Sequence, residues 1–331
     1  MSRIHDVRLA ILVLWVFATV PASQFAVAGT GAPAAAMTKA AMNSDHDLAG
    51  RIWDVHAGRF INEEQLFDGL AGAEYILLGE THDNVMHHDN QIRVIKNLAE
   101  RGLHASVVFE MIDDEQGKVL QQHKYDSSAD LIKLLARFKT GWDYSLYYRK
   151  LFDAAIRAGY PIVPGNISRD RLLAVIMQDQ GDPGGAIDAM LARTPLTEGQ
   201  QSAMKAEIIE SHCNMLNDDM AISMVSGQRM RDASMALSLI NDRSEHKILI
   251  AGSGHVRDDY GVPLYLRVHD SHAKIAALGF QEVEDDVNDI HDYAEAWGTA
   301  ALPFDYVWMT ARTQREDPCA GFKDHFRHKM K

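Results

Sequence analysis

Glu80 and His82 stand two residues apart, just beyond the apolar run Tyr75–Leu78 and Gly79. Residues two apart in an extended chain share a face, so a carboxylate and an imidazole are presented together. Such a pair can orient one another, hold a metal ion or pass a proton. Three further residues with chemical potential follow apolar runs in the same way. Glu110 comes after Ser106–Phe109, Asn166 after Pro161–Val163 and Pro164-Gly165, and His255 after Lys247–Ala251 and Gly252-Ser253-Gly254. Glycine at 252 and 254 permits tight turns and close approach to the backbone. A structural role competes with the chemical one, with Glu80 capping the next helix and His82 serving as a satisfied core imidazole. Glu110, buried among apolar neighbours, needs a partner or a raised pKa, and Arg169 or Arg231 is the expected counter-charge. As a metal site, the ligand set is Glu80, His82 and His255.

A second group of candidates lies on helical patterns. His212, Met215, Asp219 and Ile222 recur at steps of three or four, and Gln228, Arg231 and Asp232 fall within about one turn. Such polar residues among apolar positions bear a desolvation cost that either a binding site or an internal salt-bridge network would offset. His87 and His88 are adjacent, about 100° apart on a helix, so one serves the crevice, with His88 the candidate, and the other is expected in solvent. Tyr144, Tyr147 and Tyr148 form an i, i+3, i+4 face beside Trp142. These rings either anchor a helix on the core or wall a flat apolar ligand such as a porphyrin, for which tyrosinate is a known axial ligand.

The elements that must position these residues follow from hydrophobic patterning. Short apolar runs bounded by glycine read as fully buried strands of a parallel sheet, and ligands of open α/β sheets bind where the strands' carboxyl ends converge. A short edge strand and helix are expected in Ile52–Leu70, and a helix from about Asn84 to Arg101, ended by Gly102. A strand follows at Ser106–Phe109, ending on Glu110, and then helices from about Asp114, over Asp130–Phe138 and over Leu146–Ala158. The stretch Ser168–Ser238 is helical in pattern, broken at Gly181–Gly185 and Arg193–Gly199, and carries eight methionines. Thioethers suit an adaptable core or a soft apolar ligand surface. Strand patterns resume at Lys247–Ala251, Lys274–Leu278 and Phe304–Met309. The fold class is therefore α/β, with a mixed, mostly parallel central sheet flanked by helices and a helical insertion at about 168–240.

Residues 1–28 read as a secretory signal peptide: Arg3 and Arg8 precede a twelve-residue apolar run, Leu9–Val20, and cleavage after Ala26-Val27-Ala28 fits the small-x-small rule. A disordered lead-in is expected at 29–50, the α/β domain at 51–311 and a polar tail at 312–331. The expected location is periplasmic or secreted. Cys213 and Cys319 are the only cysteines; they either pair in an oxidising compartment or stay apart, Cys213 in a buried helix position. The net charge of −13 argues against nucleic acid, which selects clustered basic surfaces. A serine elbow, a phosphate loop, a dinucleotide fingerprint and an H-E-x-x-H pair are all missing from the sequence.

At these residues the chain resembles the ChaN family of bacterial haem-binding uptake proteins, within a larger group that includes Tiki/TraB proteins and erythromycin esterases. The matching stretches are ILLGETHDNVMHHDNQ (76–91), VVFEM (107–111), GWDYSLYYRKLFDAA (141–155), PIVPGNISR (161–169), HCNML (from 212), QRMRDASMA (to 236) and AGSGHVRDDYGVP (251–263). The resemblance implies an α/β core with a helical insertion, iron acquisition at the cell envelope, and haem held by a tyrosine at a homodimer interface. Tyr147, or else Tyr144, is the expected ligand, with His88, Asn166, His212 and Gln228 as further cofactor contacts. Outer-membrane or periplasmic uptake machinery is the implied partner. The wider group implies a second use: Glu80, His82, Glu110 and His255 as a hydrolytic pocket, with or without a divalent metal. No cysteine near the cleavage region offers a lipid anchor, a departure from the many lipoproteins of the family.

Overall fold

The computed structural model describes residues 41–42, 44–178, 185–315 and 319. The signal-peptide segment and most of the Gly181–Gly185 break lie outside them. The strands are β1 (Ala41–Met42), β2 (Ile52–Asp54), β3 (Arg59–Ile61), β4 (Tyr75–Glu80), β5 (Ala105–Asp113), β6 (Ile162–Asn166), β7 (His246–Gly252), β8 (Ile275–Glu282), β9 (Tyr306–Thr310) and β10 (Arg312–Thr313). Eight of them form one sheet in the order β3-β2-β9-β8-β4-β7-β5-β6. The six strands from β9 to β6 run parallel, and β2 and β3 add an antiparallel hairpin at one edge. Every residue of β4 is buried, as an unbroken apolar run covered on both faces requires.

Helices α1 (Glu63–Ala71), α2 (Val85–Glu100), α3 (Asp114–Gln122), α4 (Ser128–Leu135) and α5 (Arg149–Arg157) surround one core, reached by Ile76 and Leu78 of β4. The insertion comprises α6 (Arg169–Gln178), α7 (Ala186–Arg193), α8 (Glu198–Ser211) and α9 (Asp218–Asn241). With α10 (Ser253–Val256) and α11 (Val262–His269) it covers the opposite face, where Tyr75 and Leu77 point. The alternation of β4 thus divides two cores between odd and even residues.

Helix α2 starts where Asn84 caps it, its side chain accepting from the Met86 and His87 amides, and it ends before Gly102, whose φ is +78°. Strand β5 runs past Glu110 to Asp113 instead of ending there. Its pairing with β6 steps from Phe109↔Pro164 to Asp113↔Asn166, so extra residues bulge out of β5 at Glu110. Bulges re-aim side chains beside sites. The Asn166 amide fills the gap by donating to the Glu110 carbonyl at 3.1 Å.

Two other expectations change. The 144–148 segment is a π-turn preceding α5 rather than part of an α-helix. The insertion breaks again at 212–217, where Cys213 and Asn214 both take left-handed backbone, φ 60° and 57°, and Asn217 caps α9. At the end of the segment read as lead-in and the start of that read as tail, β1 and β10 pair antiparallel. A disulfide joins Cys213 in this turn to Cys319.

Candidate functional site

Glu80 closes β4, and its register partner on β7 is Gly252. Glu110 sits one strand further along, and its Oε2 accepts from the Gly252 amide at 2.8 Å. The missing side chain at 252 is what admits the neighbouring imidazole, since a Cβ there would lie 3.0 Å from His82 Nε2. His82 Nδ1 is 2.9 Å from Glu80 Oε1, and its Nε2 is 3.8 Å from Glu110 Oε2. His255, on α10 directly after β7, places Nε2 3.3 Å from Glu110 Oε1 and Nδ1 2.6 Å from Asp232 Oδ1 of α9. The four residues expected to converge do so, in a chain of alternating acids and bases that runs Asp232–His255–Glu110–His82–Glu80.

Two residues extend this chain. Tyr148 donates its hydroxyl to Glu80 Oε1 at 2.8 Å, and Gln91 of α2 donates to Oε2 at 2.8 Å. Of the three tyrosines expected on one face, Tyr144 and Tyr148 stay together in the π-turn, both buried against Phe152, while Tyr147 is half-buried beside His88. The burial of Tyr148 beside β4 is the signal an α-helical reading misses. Trp142 closes the group edge-on to His82, with ring centroids 4.9 Å apart. Only His82 keeps substantial solvent contact, with 37% of its side chain exposed.

The charges are mutually set. Burial alone would raise the Glu80 carboxyl, but the His88 and His82 imidazoles outweigh it and hold it well below the usual range. Burial opposes ionisation of Glu110 in the same way, and His255, His82 and the Gly252 amide again prevail. Burial also works against protonation of His255, yet Glu110 and Asp232 raise its pKa to about 10. His82 is raised too, chiefly by Glu110 against burial. Asp232, fully enclosed, is pushed up to about 6 by burial despite His255. Burial, then Glu80, keeps the Tyr148 phenol protonated as a donor. At neutral pH the chain is a row of ion pairs, with Asp232 Oδ2 buried and without a hydrogen bond among the described residues.

The remaining candidates divide. Arg231, buried on α9, lies close enough to Glu110 and Asp232 to feel both charges. Arg169 is exposed at the start of α6 and is not the counter-charge. Gln228 turns its amide to within 3.1 Å of His255 Nδ1. Neither His87 nor His88 is solvated. His87 is fully buried, accepting from the Thr81 amide and 2.8 Å from Thr310 Oγ1, and burial takes its pKa down to about 3. His88 places Nε2 3.3 Å from Glu80 Oε2. His212 caps α8 with Nδ1 2.7 Å from the Ile208 carbonyl, so the stripe expected to run from it to Ile222 is cut by the turn. Tyr144 is buried and donates to the Met111 carbonyl at 2.7 Å, which removes its oxygen from ligand duty. Among the described residues no group of three or more His, Cys, Asp and Glu side chains is arranged to hold a metal ion. Glu80, His82 and His255 bond to their neighbours rather than facing a common point.

Comparison with known proteins adds a lineage to this geometry. The fold matches ChaN of Campylobacter jejuni, solved in a study of cofacial haem binding, with a TM-score of 0.61 at 23% identity over 78% of this chain and 95% of that one. Weaker structural matches are the type III effector HopBA1 (TM-score 0.41, 12% identity, 75% and 92% covered) and an erythromycin esterase EreC mutant in its open conformation (0.43, 12%, 81% and 98%). No curated protein matches the sequence. A family profile described as haem-binding uptake, Tiki superfamily, ChaN, matches residues 66–266. From β4 to α11 that span takes in the whole acid–base chain, and the protein belongs to the ChaN family of haem-binding uptake proteins.

Proposed function

We propose that this protein binds haem where the Tyr144–Tyr148 turn meets the start of α2, with the Tyr147 oxygen as iron ligand, and that it works outside the cytoplasm. Family membership carries the choice of ligand, and a free phenol carries the choice of residue. Tyr144 and Tyr148 donate their hydroxyls inside the fold. Among the described contacts, the Tyr147 hydroxyl has no hydrogen-bond partner. Its ring is 6.3 Å from that of His88 on α2. The two segments that meet here leave Leu146 47% and Met86 36% exposed, and exposed apolar side chains of this size mark ligand or partner surfaces. Arg149, exposed two residues beyond Tyr147, suits a propionate.

These residues fit the group. Tyr147 would offer its oxygen to the iron, Leu146 and Met86 would supply apolar contacts to the porphyrin, and Arg149 would pair a propionate carboxylate. Haem itself supplies the iron centre. A second copy of the chain is the expected cover for this rim, and envelope uptake machinery the expected recipient. The Cys213–Cys319 disulfide supports an oxidising, exported setting. A hydrolytic role for Glu80, His82, Glu110 and His255 is not favoured: the family carries binding rather than turnover, and the four side chains are already occupied with one another.

Titrating haem-free protein with haemin tests the reading. A saturable Soret shift is expected, with affinity falling at least tenfold in Tyr147→Phe and little in Tyr144→Phe. If no shift develops, haem binding is wrong. If Tyr147→Phe binds like the parent, the ligand lies elsewhere.

A further inference from the structure

Between Glu80 and His82, Thr81 points to the other side of the sheet, toward α10 and α11. A cavity of about 210 Å³ opens there, walled by Thr81, Phe280, Ser253, Trp297, Glu284 and Arg312. It holds roughly seven waters at liquid density, a volume for a small metabolite and too little for a porphyrin. Its position is informative. From β4 the chain moves toward β5 on one side, whereas β7 leads back across β4 to β8 on the other. The cavity lies at the carboxyl ends of β4 and β8, beside this reversal, where open α/β sheets hold ligands.

Its chemistry is unlike that of its surroundings. Nearby charges are matched: Arg315 pairs with both Glu282 and Asp83, and Glu282 also accepts from Asn84. Glu284 and Arg312, of opposite sign, enter no ion pair among the described residues, with each other or with any neighbour. The Trp297 indole N–H already donates to Gln281 at 3.1 Å, so its ring is an apolar wall. The lining thus sets one exposed cation, Arg312, and one exposed anion, Glu284, beside an aromatic face, its other carboxylate, Glu282, being held by Arg315.

We infer that this cavity is a second ligand site, for a small zwitterion of the α-amino-acid type. The ligand carboxylate would take the Arg312 fork, its ammonium would take Glu284, and its side chain would lie on Trp297 beside Thr81. A nucleotide is excluded by size and by the single cation.

Calorimetric titration with each of the twenty L-amino acids at millimolar concentration tests this on the intact, oxidised protein. At least one saturable ligand is expected. Its C-terminal amide and its N-acetyl form, tested on unaltered protein, should each bind roughly tenfold more weakly or worse, about 1.4 kcal/mol per tenfold. Arg312→Ala and Glu284→Gln should do the same without changing haemin titration. Failure of every amino acid to bind overturns the inference. So does a ligand indifferent to both blocking groups.

Discussion

Two neighbouring places in this protein set tyrosine beside histidine, and they are built on opposite terms. At the strand ends, Tyr148, His82 and His88 converge on Glu80; the first two hydrogen-bond it at 2.8 and 2.9 Å, and His88 approaches its other oxygen at 3.3 Å. One residue away along the chain, Tyr147 is half-buried against the core, its hydroxyl without a hydrogen bond among the described residues and the exposed Leu146 beside it. Polar groups in the first place are consumed by one another, because a buried charge without a partner costs several kcal/mol. In the second place they are left open, because solvent satisfies them until a ligand arrives. A dense cluster of titratable residues therefore does not by itself mark a ligand surface, and the proposed haem site rests instead on a single phenol without a hydrogen bond among the described residues.

The strongest attempt to break this contrast is Glu80→Ala. Removing the acceptor shared by His82, Tyr148, Gln91 and His88 should lower unfolding free energy by about 3–5 kcal/mol in urea. A loss below about 1 kcal/mol would show that the chain is not holding the strand ends together.

The pH profile sharpens the contrast next. Glu80 and Glu110 are depressed from 4.5, so their contribution is present above that pH and lost as the pH falls below it. His87 is lowered from 6.5 to about 3, so the unfolded chain takes up its proton first and acid loss begins below 6.5. His255 is raised from 6.5 to about 10, so its contribution is complete below 6.5 and is lost as the pH rises toward 10. Stability should peak near neutrality, and His255→Gln should flatten the alkaline limb. An unchanged alkaline limb would remove His255 from the ion-pair chain.

The smallest expected effect is on the other surface. Tyr147→Phe should shift stability by no more than about 0.5 kcal/mol, while weakening haemin binding as described above. A large stability loss would mean that its hydroxyl serves the fold.

Much of this was legible because the signal was local. The run from Tyr75 to Gly79 specified a buried strand, and the two-residue spacing put Glu80 and His82 on one face. What escaped depended on distant partners or on backbone detail. His87 is buried because Thr310, 223 residues away, receives its ring. The continuation of β5 past Glu110 needs the bulge opposite β6, which no apolar pattern announces. Arg169 and Arg231 were indistinguishable as counter-charges until the path of α9 set one inside and left the other in water.

The position of β4 in the sheet has a consequence for how the chain is made. Its only hydrogen-bonded neighbours are β7 and β8, and Tyr75 pairs with Lys247 and Ile275. A nascent chain emerging at roughly 5–20 residues per second must wait on the order of ten seconds or longer for either partner. Through that interval one of its most apolar segments has nothing to pair with. Cells producing this protein therefore need to shield the segment on or near the ribosome, and a transcript cut short before β7 would yield a polypeptide with no stable place for its central strand.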